Sequence, residues 1–164
     1  MIRMGYELAP GLTVFIHEFV TGGGFAGKAL PLSLAAEGSA MRRALAEDFA
    51  GLNGVRVVMT LDSCLPDEPG LATIVRVGPG EEPATFARLA READYTLCVA
   101  PETGGVLRDR ARTILDVGGR SLGSSPESIA CSVVGDDLPA WRFAERAVAG
   151  VESATPQGHA ARRL

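Results

Sequence analysis

Short apolar runs alternate with amphipathic segments along most of the chain. Runs rich in β-branched residues predict four strands, at residues 12–20, 55–62, 71–77 and 94–100. Between and after them, apolar side chains spaced about one or two turns apart predict three helices, at residues 33–52, 84–93 and 106–119. Strands that alternate with helices indicate βαβ units and a parallel sheet. The predicted fold class is therefore α/β, a Rossmann-like, doubly wound parallel sheet with helices on both faces.

The rest of the pattern sets the domain organisation. The first helix is predicted to turn one apolar face to the core, formed by Leu34, Met41, Leu45 and Phe49. Pro126 is typical of the first turn of a further helix, and residues 138–151 predict a last helical stretch. We therefore expect one α/β domain over residues 1–150 and a flexible C-terminal tail over residues 151–164.

Composition and charge narrow the classes of partner. The chain has 164 residues, is 46% hydrophobic and 22% charged, and carries a net charge of −4. It has no basic stripe for nucleic acid and no apolar run of about 18 residues for a membrane span. The N-terminal residues make a poor signal peptide, so a cytoplasmic location is expected. The expected partner is a small molecule or another protein.

Three cysteines lie far apart in the sequence, each in or beside an apolar stretch. They are Cys64, Cys98 and Cys131. The spacing includes no C-x-x-C pair and no even disulfide framework. We expect reduced thiols inside the core, in keeping with a cytoplasmic protein.

Three segments directly follow predicted strands and are candidates for one ligand crevice. Parallel α/β sheets bind ligands outside the carboxyl ends of their strands, near the switch point of the sheet. The segments are the glycine stretch "TGGG" at residues 21–24, "LDSC" at residues 61–64 and "APETGG" at residues 100–105.

The glycine stretch also matches the spacing of a phosphate-binding loop. Residues 22–28 read G-x-x-x-x-G-K, but the next residue, Ala29, cannot bind a metal ion. Pro31 also disfavours a helix that begins at Lys28. A dinucleotide-binding G-x-G-x-x-G pattern can be drawn through the same glycines, but no helix is predicted directly after them. Both nucleotide hypotheses are therefore weak, and a phosphate-binding role of Lys28 stays open.

A small charged substrate suits the same region better. Bare glycine main chain can donate N–H groups to a carboxylate, while Glu18 and Glu37 can bind an ammonium group. Glu102, followed by Thr103, comes directly after the fourth predicted strand, where a side chain can reach the crevice. The alternatives are structural: Glu37 favours the helix terminus, Thr103 caps a helix, and the glycines form a loose turn. The residues alone leave these readings about even.

Histidines are few, and neither of them indicates a metal or a catalytic triad. His17 shares one face of the first predicted strand with Phe15 and Phe19, which is typical of a packed or hydrogen-bonded structural residue. His159 lies in the tail and is expected to be solvated. No metal site and no catalytic residue is predicted.

Several segments together resemble the N-terminal part of ATP-grasp ligases. They occur in family order over residues 12–150 and read "HEFVTGGGF", "SLAAEGSAMRRALAEDFA", "VRVVMTLD", "APETGGVL" and "LGSSPESIA". The branch they resemble most contains tyramine–glutamate ligase and its bacterial relatives. The resemblance implies a pre-ATP-grasp α/β domain that holds substrate for an ATP-dependent reaction, in which an acyl phosphate and an amine give an amide.

The resemblance also implies which residues face the substrate. It assigns the substrate-side loop to Thr21, Gly22, Gly23 and Gly24. It makes Glu18, Glu37 and Glu102 the nearby acids, and it supports the reading of the glycine stretch as a substrate contact.

The chain departs from the family where ATP would bind. Leu138 stands where the family usually has a lysine, and Lys28 is the only lysine in the sequence. The resemblance therefore implies ATP and Mg²⁺ for a complete ligase but no cofactor for this chain, which is not expected to be catalytic alone. The expected partners are an amino acid or amine, an ATP-grasp module in the same or another chain, and a second copy in a homodimer.

Two accounts of the chain stay open. It is either the substrate-side domain of a longer ligase or a free-standing relative. In the second case it would be a non-catalytic accessory or scaffold protein that acts through dimerisation or a partner protein.

Overall fold

Four parallel strands form one sheet in the order β3-β2-β1-β4. The structure is a computed structural model that describes residues 11–67, 70 and 72–132. The strands are β1 (Leu12–Glu18), β2 (Val55–Asp62), β3 (Ala72–Val77) and β4 (Tyr95–Val99). The α/β class and the parallel sheet are confirmed, and β1 occupies an interior position.

The helices are α1 (Leu32–Ala50), α2 (Glu82–Glu92), α3 (Val106–Asp116) and α4 (Pro126–Ser132). The first strand is shorter than predicted, because the chain leaves it after Glu18 for a π-helical turn over Val20–Gly24. A short 3-10 turn, Thr103–Gly105, precedes α3. The helix predicted at residues 138–151 and the tail at residues 151–164 lie outside the described residues.

Helices cover both faces of the sheet, as the doubly wound pattern predicts. Alternate residues of β1 point to opposite faces. One face packs against α1 through a cluster of Val14, Ile16, Ala46, Val57 and Met59. The other packs against α2 and α3 through Phe15, Phe86, Leu89, Ala90 and Ile114. The central strand is therefore buried on both sides, which explains its near-continuous apolar sequence.

The buried face of α1 is only partly the predicted one, since Leu34, Leu45 and Phe49 are half-buried and pack against the core. Met41 is exposed, whereas Arg42 is buried along with Gly38 and Ala46, at a spacing of four residues. Leu45 is only half-buried and lies beside this row. Gly38 lies in this row because the helix backbone approaches the end of β1 closely there.

The topology places its switch point between β1 and β4. From β1 the chain adds β2 and then β3 on one side, and it later adds β4 on the other side of β1. Glu18 and Val99 are paired at the carboxyl ends of these two strands. The loops that leave β1 and β4 are therefore the ones that the fold brings to the usual ligand crevice.

Only one cysteine matches the prediction of core thiols. Cys98 on β4 is largely shielded, and burial raises its pKa to about 12. Cys64 and Cys131 are exposed, so the prediction was wrong for both. Cys64 lies in the turn after β2, where apolar neighbours in the sequence do not imply burial. All three are free thiols.

No helix within residues 11–67 and 72–132 combines the length and apolarity needed to cross a bilayer.

Candidate functional site

The glycine turn, Val20–Gly24, packs down onto the ends of neighbouring strands. A Cβ atom at Gly22 would lie 2.6 Å from Oγ1 of Thr60 on β2. A Cβ atom at Gly23 would overlap the side chain of Val77 on β3, and Gly23 also has a φ of 112°. Both glycines are buried. They are needed because protein side chains approach this backbone closely.

Glu18 lies beneath the glycine turn and bonds to it three times. Its side chain is enclosed, with the residue 1% exposed. Oε1 accepts the backbone N–H of Val20 at 2.9 Å. Oε2 accepts the backbone N–H of Thr21 at 2.8 Å and its hydroxyl at 2.6 Å. The backbone amides of Val20 and Thr21 are therefore used by the protein's own carboxylate.

Helix α1 closes the other side of this carboxylate. A Cβ atom at Gly38 would lie 2.5 Å from Oε2 of Glu18 and 2.9 Å from Cγ2 of Thr21. Arg42, one turn further along α1, places Nη1 3.4 Å from Oγ1 of Thr21. The "HEFVTGGG" and "EGSAMR" segments therefore meet through these four residues.

His17 occupies the opposite face of β1. It is fully buried, and its Nδ1 lies 2.7 Å from Oγ1 of Thr60. Its Nε2 lies 3.1 Å from Oε1 of Glu82, off the line of a well-aligned N–H bond. The rings of Phe15 and Phe86 pack around it. The expectation of a packed, hydrogen-bonded histidine is confirmed.

Glu82 and Arg110 extend this network to the helices. Arg110 donates to the Glu82 carboxylate from two nitrogens, with Nε at 2.9 Å from Oε1 and Nη2 in contact with Oε2. Its guanidinium lies over the rings of Phe19 and Phe86, at 5.6 and 5.5 Å from their centroids. Burial raises the pKa of Glu82, but the contacts with His17 and Arg110 outweigh it and leave that pKa below its usual value. The carboxylate is therefore charged at neutral pH.

The turn after β4 is more open. Gly104 and Gly105 both adopt left-handed backbone angles, with φ of 68° and 71°. Thr103 is half-buried, and within the described residues its shielded Oγ1 has no hydrogen-bond partner. Helix α3 begins after Gly105 without a side-chain cap, so the alternative that Thr103 caps this helix is wrong. Glu102 is exposed.

Glu37 is the second exposed acid near this edge. It lies in the second turn of α1, beyond the first turn where a carboxylate favours a helix terminus, which weakens that alternative. In the part of the chain that the structure describes, neither Glu37 nor Glu102 has a hydrogen bond or ion pair. Leu34, one turn before Glu37, and Ala100, shortly before Glu102, pack on one cluster around Phe19. The two acids therefore flank the same end of the sheet.

The geometry does not fit a phosphate-binding loop. Helix α1 begins at Leu32, after Pro31, so no helix N-terminus stands at Lys28. Lys28 itself is exposed. Over residues 11–67 and 72–132, no cluster of three or more His, Cys, Asp or Glu side chains could hold a metal ion. The residues around Lys28 therefore lack the arrangement of a P-loop.

Residues 55–129 match the family model of the pre ATP-grasp 3 domain.

This pre-ATP-grasp segment runs from β2 into α4, and it includes Glu102 and Thr103. The match and the all-parallel sheet support the predicted N-terminal domain of ATP-grasp type. Glu18, Glu37 and the glycine turn precede the matched segment. Comparison with curated proteins gives no match, and comparison with solved structures gives none.

Sequence reasoning missed four residues that build this region: Arg42, Thr60, Glu82 and Arg110. Two of them, Glu82 and Arg110, lie in the pre-ATP-grasp segment. Glu82 opens a helix after "GPGE", where an acid is typical of the first turn. Arg110 stands among other arginines of α3, with no pattern that separates it from the exposed ones. Only Arg42 carried a signal in the sequence, because it lies in a row with Gly38 and Ala46 at a spacing of four residues.

Proposed function

We propose that this chain is the substrate-side N-terminal domain of an ATP-dependent ligase that joins a carboxylate to an amine. The match of residues 55–129 to the pre-ATP-grasp family model carries the proposal. The quoted motifs favour the branch of tyramine–glutamate ligases. An ATP-grasp module, in the same or another chain, supplies ATP and Mg²⁺, and this chain contributes no catalytic residue.

The proposed substrate contact lies between the turns that follow β1 and β4. Glu37 and Glu102 are exposed carboxylates at that edge, and each can accept charge-assisted hydrogen bonds from an ammonium group. Gly24 and Thr103 are half-buried in the two turns. Glu18, Thr21, Gly22 and Gly23 are buried and contribute through the shape of the glycine turn.

Calorimetry on the whole chain tests this proposal. Tyramine, tyrosine and glutamate are titrated separately. The uncharged probe is a tyramine analogue in which a neutral group replaces the amine. We expect an amine to bind and its Kd to rise about tenfold in Glu37→Gln or Glu102→Gln, since a charge-assisted bond contributes about 1.5–3 kcal/mol. Glu47→Gln, an exposed acid further along α1, is the matched control and should leave Kd unchanged.

Two results would contradict the proposal. One is binding of Mg-ATP by the isolated chain that Lys28→Ala abolishes, which would favour a nucleotide site. The other is amine binding that responds equally to Glu37→Gln and Glu47→Gln, which would show a general charge effect.

A non-catalytic accessory role is the second candidate. Leu32, at the start of α1, is 88% exposed, more than any other large apolar side chain that the structure describes. If the chain acts through self-association, sedimentation should show a dimer that Leu32→Ser weakens. A monomer at all concentrations, together with amine binding, would exclude this candidate.

A further inference from the structure

We propose that Glu18 is a positioning residue whose buried carboxylate holds the glycine turn in one conformation and fastens it to helix α1. The turn is then preformed before any ligand arrives. The role of the turn as a substrate contact rests on the proposed function, whereas the exchange tests below need no ligand.

The Glu18 carboxylate is held by hydrogen bonds from the glycine turn. Both oxygens accept hydrogen bonds from the turn, at 2.9 Å from Val20 N–H and at 2.8 and 2.6 Å from Thr21. The residue is 1% exposed. A carboxylate that is already bonded to adjacent amides and shielded from solvent orients the backbone that surrounds it. It is poorly placed to reach a ligand.

The hydroxyl of Thr21 joins the Glu18 carboxylate to α1. The hydroxyl donates to Oε2 of Glu18, which leaves its lone pairs to accept from Nη1 of Arg42 at 3.4 Å. Gly38 leaves the space for this arrangement, since a Cβ atom there would lie 2.5 Å from Oε2. The strand end, the turn and the helix therefore share one buried polar contact.

The opposite side of the turn is closed by the sheet. Gly22 lies against Thr60 and His17, and Gly23 lies against Val77. Side chains of β2 and β3 therefore contact the turn on one side and Glu18 contacts it on the other, so that a shift of Gly22 or Gly23 breaks one set of contacts.

Amide hydrogen exchange of the full chain, followed by NMR, is the first test. In the wild type, the amides of Val20 and Thr21 should exchange slowly, even though their hydrogen bonds are accepted by side-chain oxygens and not by backbone carbonyls. Glu18→Gln retains the shape but only one acceptor oxygen. We expect exchange at Thr21 to quicken about tenfold, the size of one lost charge-assisted bond, while Phe86 and Ile114 stay unchanged.

Gly38→Ala is the second test, and it leaves Glu18 intact. Helix propensity alone predicts that this change stabilises α1. If the new methyl group displaces the carboxylate, the amides of Val20 and Thr21 should instead quicken as in Glu18→Gln. Gly51→Ala is the matched control, because it lies at the end of the same helix with ordinary contacts of 3.4 and 3.5 Å.

Three results would overturn the inference. The first is fast exchange at Val20 and Thr21 in the wild type, which needs no variant to fold. The second is a Glu18→Gln or Gly38→Ala chain in which exchange quickens equally throughout, which indicates general destabilisation. The third is a Glu18→Gln chain with unchanged amides and altered amine binding, which would make Glu18 a ligand contact.

Discussion

Two Thr-Gly-Gly segments follow neighbouring strands of the sheet, and they differ in almost every physical respect. Thr21–Gly23, after β1, is buried. Thr103–Gly105, after β4, has no buried residue. The Thr21 hydroxyl bonds to Glu18, whereas within the described part of the chain Oγ1 of Thr103 has no partner.

The glycines differ in the reason for which they are needed. At Gly23 both space and backbone geometry exclude a side chain, because Val77 occupies the position of a Cβ atom. At Gly105 the backbone is left-handed, but the nearest obstacle is the flexible end of Arg108. The same tripeptide therefore serves close packing at one strand and a change of chain direction at the other. A glycine-rich motif alone does not indicate a ligand site.

The largest difference is expected from alanine at the third position of each segment. Gly23→Ala combines a strained backbone with an overlap in the core and should lower the free energy of unfolding by about 4 kcal/mol. Gly105→Ala should lower it by about 1 kcal/mol. Gly118→Ala, with φ of 77° and open space around it, isolates the backbone contribution. Urea denaturation measures all three, and equal losses at positions 23 and 105 would contradict the comparison.

The next largest loss of stability is expected at Glu82, which contacts His17 below the glycine turn. Glu82→Gln leaves Arg110 without its carboxylate and should cost about 3 kcal/mol at neutral pH. The folded protein lowers the pKa of Glu82 below 4.5, so it binds fewer protons than the unfolded chain in that range. Its contribution is fully present above pH 4.5 and is lost as the pH falls through the folded value.

Denaturation at several pH values checks this dependence. The wild type should lose more stability than Glu82→Gln as the pH falls below 4.5. Glu92→Gln, in an exposed pair with Arg88, serves as the control and should change little. Equal losses of stability in the wild type and in Glu82→Gln would show that the pair of Glu82 and Arg110 has no pH-dependent role.

The smallest difference is expected from valine in place of each threonine. Thr21→Val removes a hydroxyl that Glu18 and Arg42 both use and should cost about 2 kcal/mol. Thr103→Val replaces a shielded hydroxyl by a methyl group of similar shape and should change stability by less than about 0.5 kcal/mol. Thermal and urea unfolding measure both. A costly Thr103→Val would reveal a polar partner for that hydroxyl.

The sequence pattern was sufficient for the fold because periodicity depends on local geometry. The alternation of β-branched runs with helical segments predicted the parallel sheet, and Phe86, Leu89 and Ala90 are buried as the pattern of the second helix indicates. The end of β1 was misplaced, since Phe19 and Val20 are apolar enough to continue a strand but pack instead around Phe25.

The candidate site was less predictable than the fold. The eight proposed substrate residues were chosen by type and position, and their role stays a prediction. The structure separates exposed acids, such as Glu37 and Glu102, from Glu18, which is enclosed. The sequence does not show whether a carboxylate faces solvent or two backbone amides, because its partners are brought to it by the folded chain.

By itself the sequence determined the class of fold, the order of its elements and the family likeness, because these depend on local periodicity and on motifs that are contiguous in the chain. Only the tertiary structure decided that Glu18, Gly38 and Arg42 meet around Thr21, and that His17, Glu82 and Arg110 form a polar network between β1 and the helices on one face of the sheet. Those contacts join residues far apart in sequence, and their energies depend on burial and on distances that no local pattern encodes.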